Sequence, residues 1–373
     1  MKRIVAAIIG AILVTGTSYG ETSFKIESRV FSLLGMRMTT VNPDTDSLKY
    51  DITDMVTELS PFSRICFTGL VDGKNRAYVE LRPTVAVIFE QIYGIADLPR
   101  GSLFIGKVES IFNLVWGRTF SPLSPFLIGW GKAWAGRIPM LMYSLPVAKG
   151  NFKLALCSPN VSSVARDGQL KPIRQHALLQ QIQVALGQKI GLLGLEVSGI
   201  YNATAANEDE VEQDFKDVSS TAYGAAMIAK IAVAPVSFTL DGYYGQNIGF
   251  ANAIGCLTAI YAVPTGDTTY KVCNATGYGG FMDAEVSLAT KYVIKGGFGM
   301  DMGNYADLDS IGADSNKIVK MDAVRSAYFA SFGYKISPEM MIGLEYNATK
   351  TESPAEKVTG LLSSISLICD YKF

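Results

Sequence analysis

The chain has 373 residues, of which 49% are hydrophobic, 18% charged and 10% aromatic. A charged fraction below the roughly 25% of soluble domains, a formal net charge of −1 and unperiodic glycine exclude a disordered chain, a collagen-like repeat and a basic nucleic-acid binder. The mean hydropathy of +0.22 then requires a large apolar sink, whether a core, a partner or a lipid bilayer.

Met1-Lys2-Arg3 is a positive n-region, Ile4 to Val14 is an apolar run, and Thr15 to Gly20 is small and polar. Together they read as a secretory signal peptide over residues 1–20, cut after Gly20. The apolar run is eleven residues long, against the roughly 20 that a helix needs to cross a bilayer core of about 30 Å. Loss of Lys2 and Arg3 leaves 31 bases against 34 acids, a net charge of −3 on residues 21–373.

No later apolar run is long enough for a membrane helix. Leu103 to Phe120 is broken by Lys107, Glu109 and Arg118, and Ala225 to Leu240 by Lys230 and Pro235. An exported chain that spans lipid without helices satisfies its backbone only as a closed β-barrel. Alternation supports strands. Ile365, Leu367, Cys369, Tyr371 and Phe373 share one parity against Ser364, Ser366, Ile368, Asp370 and Lys372. Val236, Phe238 and Leu240 oppose Ser237, Thr239 and Asp241, and Ile182, Val184 and Leu186 oppose Gln181 and Gln183. This pattern alone fits a soluble sandwich as well as a barrel.

Connection lengths separate the two. Strands are predicted at 23–33, 61–70, 75–90, 101–109, 111–120, 136–146, 150–158, 177–187, 189–204, 220–232, 235–245, 277–290, 291–302, 320–335, 340–351 and 358–373, sixteen in all. Tight turns, such as 71–74, 146–150 and 336–339, largely alternate with long polar connections at 34–60, 121–135, 159–176, 205–219, 246–276 and 303–319. An even number of antiparallel strands, with short periplasmic turns on one rim and long extracellular loops on the other, is the layout of a transmembrane β-barrel of the outer membrane.

Several motifs carry a family resemblance. The C-terminal Tyr371 and Phe373, with alternating apolar residues upstream, resemble the signal read by the outer-membrane assembly machinery. Asn75 to Glu80 (NRAYVE), Leu114 to Leu123 (LVWGRTFSPL) and Ser331 to Tyr346 (SFGYKISPEMMIGLEY) are similar to stretches of Gram-negative porins of the general and DcaP-like kind. The resemblance implies a homotrimer in outer-membrane lipid and a third loop folded into the pore. Segment 119–136 is the candidate for that constriction loop, since it follows the fifth predicted strand and its Pro122, Pro125, Gly129, Gly131 and Gly136 suit an irregular path. Trp130 and Trp134 fit an interfacial girdle or a subunit contact equally well. One departure stands out: Gly117-Arg118-Thr119-Phe120 replaces the family's Gly-Gln-Thr-Trp.

In a barrel of this size the polar parity lines an aqueous lumen. The pore-lining candidates are Arg64, Arg76, Glu80, Arg82, Arg137, Lys153, Asp283, Glu285, Lys291, Lys295, Arg325 and Glu345, with Glu196, Asp241 and Asp370 on the same parity. Bases concentrate between Arg64 and Lys153, which suggests a basic ladder facing acids across the lumen; local pairing is the plainer alternative.

Catalytic readings lack parts. His176 is the only imidazole, and no Ser or Cys sits with an acid at triad spacing. Asp307-Leu-Asp309 begins like a calcium loop but has Ile311 and Ile318 where ligands belong. Gly279-Gly280 and Gly296-Gly297 lack the strand-to-helix setting of a phosphate cradle and read as smooth places in barrel strands. No cofactor and no nucleic-acid partner is expected. Cys256 and Cys273 share one outer loop of an exported chain, where a disulfide is permitted, or all five cysteines are small apolar fillers. The expected function is passive diffusion of small hydrophilic solutes through a water-filled channel. The alternative is a structural or adhesive surface barrel with an incidental or plugged pore.

Overall fold

The structure, a computed structural model, describes residues 23–43, 50–59, 64–71, 75–83, 87–113, 130–159, 165–166, 175–206, 219–251, 261–264, 270–305, 323–353 and 358–372, of which 23–43, 50–59, 165–166, 175–177, 261–264 and 270–273 are described by their backbone alone. The chain opens with β1 (Ser23–Pro43), β2 (Tyr50–Leu59), β3 (Arg64–Val71), β4 (Asn75–Pro83), β5 (Val87–Leu98) and β6 (Gly101–Glu109). After a long connection come β7 (Arg137–Val147), β8 (Gly150–Cys157), the short β9 (Ala165–Arg166) and β10 (Gln175–Ala177), then β11 (Gln181–Ile190), β12 (Leu193–Ala206), β13 (Ser219–Val233) and β14 (Val236–Gln246). Two short strands, β15 (Tyr261–Pro264) and β16 (Tyr270–Cys273), precede β17 (Ala275–Leu288), β18 (Tyr292–Tyr305), β19 (Ala323–Lys335), β20 (Met340–Ser353) and β21 (Val358–Lys372).

Among the described residues, eighteen strands form one sheet, and β9, β15 and β16 form a separate three-stranded one within the outer loops. Along β1, β3 pairs with Ser23 to Arg29 and β2 with Ser32 to Val41, so β2 and β3 share one position in the wall. Likewise β10 and β11 lie end to end along β12. The eighteen strands therefore occupy sixteen positions. Each pairs antiparallel with its successor, and β21 returns to β1 in a register running from Arg29 opposite Lys372 to Pro43 opposite Val358. That seam closes the sheet on itself.

The wall is apolar outside and polar inside. Leu154, Leu156, Val184, Leu186, Phe238, Leu240, Met282, Leu344, Ile365 and Leu367 are exposed on the outer parity. Gln181, Gln183, Thr239, Asp241, Asp283, Glu345, Asn347, Ser366 and Asp370 are buried on the inner one. A soluble protein has no use for this inversion, whereas a barrel in hydrocarbon requires it. The rims also differ. Turns at 99–100, 148–149, 191–192, 234–235, 289–291 and 336–339 occupy one rim, and the long connections 110–136, 158–180, 207–218, 247–274 and 306–322 the other.

Three predicted boundaries are corrected. Segment 34–60 is not a long loop: most of it belongs to β1 and β2, whose alternation is masked by Thr39, Thr40, Asp51 and Asp54. The predicted strand 75–90 is two strands, because β4 stops at Pro83, which has no N–H for a ladder, and β5 runs on to Leu98. Residues 111–113, the described start of the predicted strand 111–120, are not in the wall. β6 pairs directly with β7, and the chain leaves the sheet at Ser110. One strand lost and one gained keeps sixteen positions. The predicted signal peptide over 1–20 lies outside the described residues.

Leu240 stands on the outer wall midway along β14, beside Ala229 and Met282. Leu240→Arg is expected to cost about 2–4 kcal/mol in refolding from urea into lipid vesicles, while Thr239→Arg, on the opposite parity, costs much less.

Candidate functional site

The lumen is shaped by the connection between β6 and β7. Its neck is closed by the Ser110 amide donating to the Gly136 carbonyl at 2.8 Å. The outgoing limb then follows the inner wall. Ser110 Oγ and the Ile111 amide donate to Gln183 Oε1 of β11 at 2.9 and 3.0 Å. The Asn113 amide donates to Ser198 Oγ of β12 at 3.0 Å, and Asn113 Nδ2 donates to Asp241 Oδ1 of β14 at 3.1 Å. Beneath it, Ile111 joins Val108, Ile138, Met140, Met142, Ala155, Cys157 and Ala185 in an apolar cluster on the inside of β6 to β11.

The returning limb crosses to β17 and β18, the far side of the ring. Trp130 packs on Ile228, Phe281 and Phe329. The Lys132 ammonium, fully enclosed, lies 5.8 Å from the centre of the Phe281 ring. Main chain meets main chain here. Gly131 has φ +107°, which suits glycine, and a side chain on it would strike the Gly280 carbonyl and the Met300 amide. A side chain at Gly299 would strike the Trp130 carbonyl, and one at Gly245 would strike Ile248, which with Phe112 also fills the space above Gly224. Gly224, Gly245, Gly277 and Gly303 stand in register across β13, β14, β17 and β18, a trough four strands wide. Gly299→Val should unseat the returning limb and change the single-channel conductance, read in planar bilayers beside Ile294→Val on the outer wall, which should not.

A charge cluster stands where the loop rejoins the wall. The β4–β5 register jumps from Glu80 opposite Gln91 to Leu81 opposite Phe89, so Glu90 is an unpaired extra residue. This bulge turns both Glu90 and Gln91 inward. Arg137 Nη1 lies 2.7 Å from Glu90 Oε2 and Nη2 lies 3.3 Å from Glu80 Oε1, while Arg82 Nε lies 2.6 Å from Glu90 Oε1. Gln91 Nε2 donates to Glu80 Oε2 at 3.1 Å, and the Arg137 guanidinium lies 5.7 Å from the Trp134 ring centre.

Arg82 and Arg137 thus both pair with carboxylates, Arg82 with Glu90 on the adjacent strand and Arg137 past β6 with Glu90 and Glu80. Arg76 follows the same rule, with Nη2 at 2.8 Å from Asp97 Oδ1. Among the other candidates, Asp283 and Glu345 are buried inside the wall, and Glu285 and Lys295 face each other in register on β17 and β18 and line one recess near Asp370. Arg325 stands opposite Asp301 across β18 and β19, and Lys153 opposite Ser144. Lys291 is in the turn between β17 and β18, not on the wall. Arg64 opens β3 opposite Arg29, its side chain outside the description. Cys66, Cys157 and Cys369 form no disulfide, Cys256 lies outside the described residues and Cys273 is described by its backbone alone. Residues 114–129 of the loop and the calcium-like stretch at 307–318 also lie outside them, and His176 is described only through the pairing of β10.

Sequence reasoning missed Glu90, Asn113, Gln183 and Lys132. Adjacent polar residues Glu90 and Gln91 inside an otherwise alternating strand were a signal for the bulge; nothing marked the other three.

A closed barrel with a polar interior, an apolar outer wall and a loop laid across its lumen defines the porin-type fold of outer-membrane proteins. No protein-family model and no curated protein sequence matches the chain. Solved structures do. OmpT, an outer membrane protein of Vibrio cholerae, is 10% identical with a TM-score of 0.61, covering 95% of this chain and 99% of that one. An anion-selective porin from Comamonas acidovorans is 10% identical with a TM-score of 0.58 over 95% and 100% of the two chains. Salmonella typhi OmpF, in complex with daunomycin, is 13% identical with a TM-score of 0.53 over 94% and 97%. The chain shares the fold of these outer-membrane barrels.

Arg137 is the partner shared by two buried carboxylates. Arg137→Met should destabilise the barrel by about 3–5 kcal/mol in urea unfolding, and Glu80→Gln with Glu90→Gln in the same chain should restore much of that loss.

Proposed function

We propose that the chain is an outer-membrane porin, a water-filled channel for passive diffusion of small hydrophilic solutes, narrowed by the loop between β6 and β7. The observation that carries this reading is the loop itself, whose limbs lie inside a closed ring of sixteen strand positions and narrow it. Sixteen strands enclose room for water where eight are filled by side chains. A structural wall has no need of a loop pinned across its interior by four hydrogen bonds to β11, β12 and β14.

The reading is of a channel and not of an enzyme, supported by the sequence pattern: its one histidine is His176, and no Ser or Cys stands with an acid at triad spacing. Assembly as a homotrimer is part of the proposal, supported by the trimer form recorded for Vibrio cholerae OmpT. Delivery by the outer-membrane assembly machinery through Phe373 is the other part.

Purified protein in planar bilayers should give discrete conductance steps; a plugged surface barrel gives none. Local pairing also predicts the charge preference. Arg76→Ala should move the reversal potential under a salt gradient toward cations, because Asp97 then stands alone, whereas Arg76→Ala with Asp97→Ala should leave it near the wild-type value.

A further inference from the structure

Rings line the inner wall below the charge cluster. Tyr78 of β4 lies with its ring centre 5.0 Å from that of Tyr93 on β5, and Tyr93 lies 6.0 Å from Phe104 on β6. All three are half-buried and sit on the inner parity, since Ile92 and Ile105 beside them are exposed on the outer wall. Tyr93 and Phe104 also rest against the apolar cluster of Val108, Ile111, Ile138 and Met140, which backs them without enclosing them. The Tyr78 ring is held from its rim, its hydroxyl lying 3.0 Å from Glu80 Oε2 and 3.2 Å from Cys66 Sγ. Gly106, opposite Tyr93 with φ +136°, carries no side chain that would crowd the ring.

The stripe has polar ends. Toward the long-loop rim stands the cluster of Arg82, Glu90, Arg137 and Glu80. Toward the short-turn rim stands the Arg76–Asp97 pair, with Ser102 Oγ donating to Asp97 at 2.7 Å, and both charged side chains remain about two-fifths exposed, at 41% and 42%. Ring faces left partly open in a channel, between an accessible guanidinium and an accessible carboxylate, are suited to a solute with the same division. An aromatic ring stacks in offset or tilted fashion on such faces. A carboxylate and an ammonium on its other end meet Arg76 and Asp97.

We infer that Tyr78, Tyr93 and Phe104 form a subsite for small zwitterionic or polar solutes that carry an aromatic ring, with Arg76 and Asp97 receiving the charged end. This inference rests on the channel reading and names the solute class for it.

The test uses the full chain in lipid vesicles and planar bilayers, with L-phenylalanine and L-leucine as probes of similar size and equal charge. Uptake of L-phenylalanine at low concentration should exceed that of L-leucine by about threefold to tenfold. The ratio should fall to about one in Tyr93→Leu and in Phe104→Leu, which keep the volume and lose the ring, and should persist in Tyr93→Phe. Conductance steps recorded on the same preparations separate the two readings. Normal steps with equal uptake, or with a preference that survives Tyr93→Leu and Phe104→Leu, overturn the subsite and leave the channel standing. Absence of steps in the unaltered protein overturns the channel, and the subsite with it.

Discussion

Everything in this molecule depends on the pairing of its first and last strands. Backbone N–H and C=O groups find no water in hydrocarbon, so a sheet with two open edges cannot rest there. The register that sets Arg29 opposite Lys372 and Pro43 opposite Val358 removes both edges at once. Closure then decides what each parity meets. It turns alternate residues toward lipid and the others toward an enclosed space, and it gives the connection after β6 an interior to fold into.

That interior is not uniform. On β6 to β11 it is apolar, and there the outgoing limb lays Ile111 against Met140, Met142 and Ala155. On β13 to β18 it is floored with glycine, and there the limbs approach the sheet at backbone distance. On β4 and β5 it is charged but locally balanced, because a single inserted residue, Glu90, brings a second carboxylate to Arg137 and one to Arg82. Burial makes this balance strict: an unpaired carboxylate enclosed there is far costlier than one at a wet surface. The charges therefore hold the junction of wall and loop together before they act on any passing ion.

The barrel was legible in the sequence wherever one parity was consistently apolar, as from Val236 to Leu240 or from Ile365 to Tyr371. It failed where polar residues interrupt both parities, as in Tyr50 to Leu59, and where apolar residues belong to the loop and not the wall, as at Ile111 and Phe112. Apolar character shows only that a residue avoids water, and the inside of this barrel has an apolar face of its own. The site was harder to read. Arg76, Arg82, Arg137 and Glu80 are visible as charges on the inner parity, but their partners depend on a bulge and on which strands are neighbours. Gln183 and Ser198 look like ordinary polar wall residues until the loop is seen lying on them. The paired glycines at 279–280 and 296–297 read as smooth places in strands. In the structure the returning limb is admitted at Gly299, where a side chain would strike the Trp130 carbonyl.

The way the returning limb is seated separates path from chemistry. Where Gly131 and Trp130 meet the wall, the closest approach is between main-chain atoms and a glycine, with Trp130 and Lys132 adding their packing on the Phe281 side. Residues that face the passage can then change in size or charge while the loop keeps its course. A barrel built this way can acquire a new solute preference by single substitutions, without first having to solve again the problem of folding a loop inside itself.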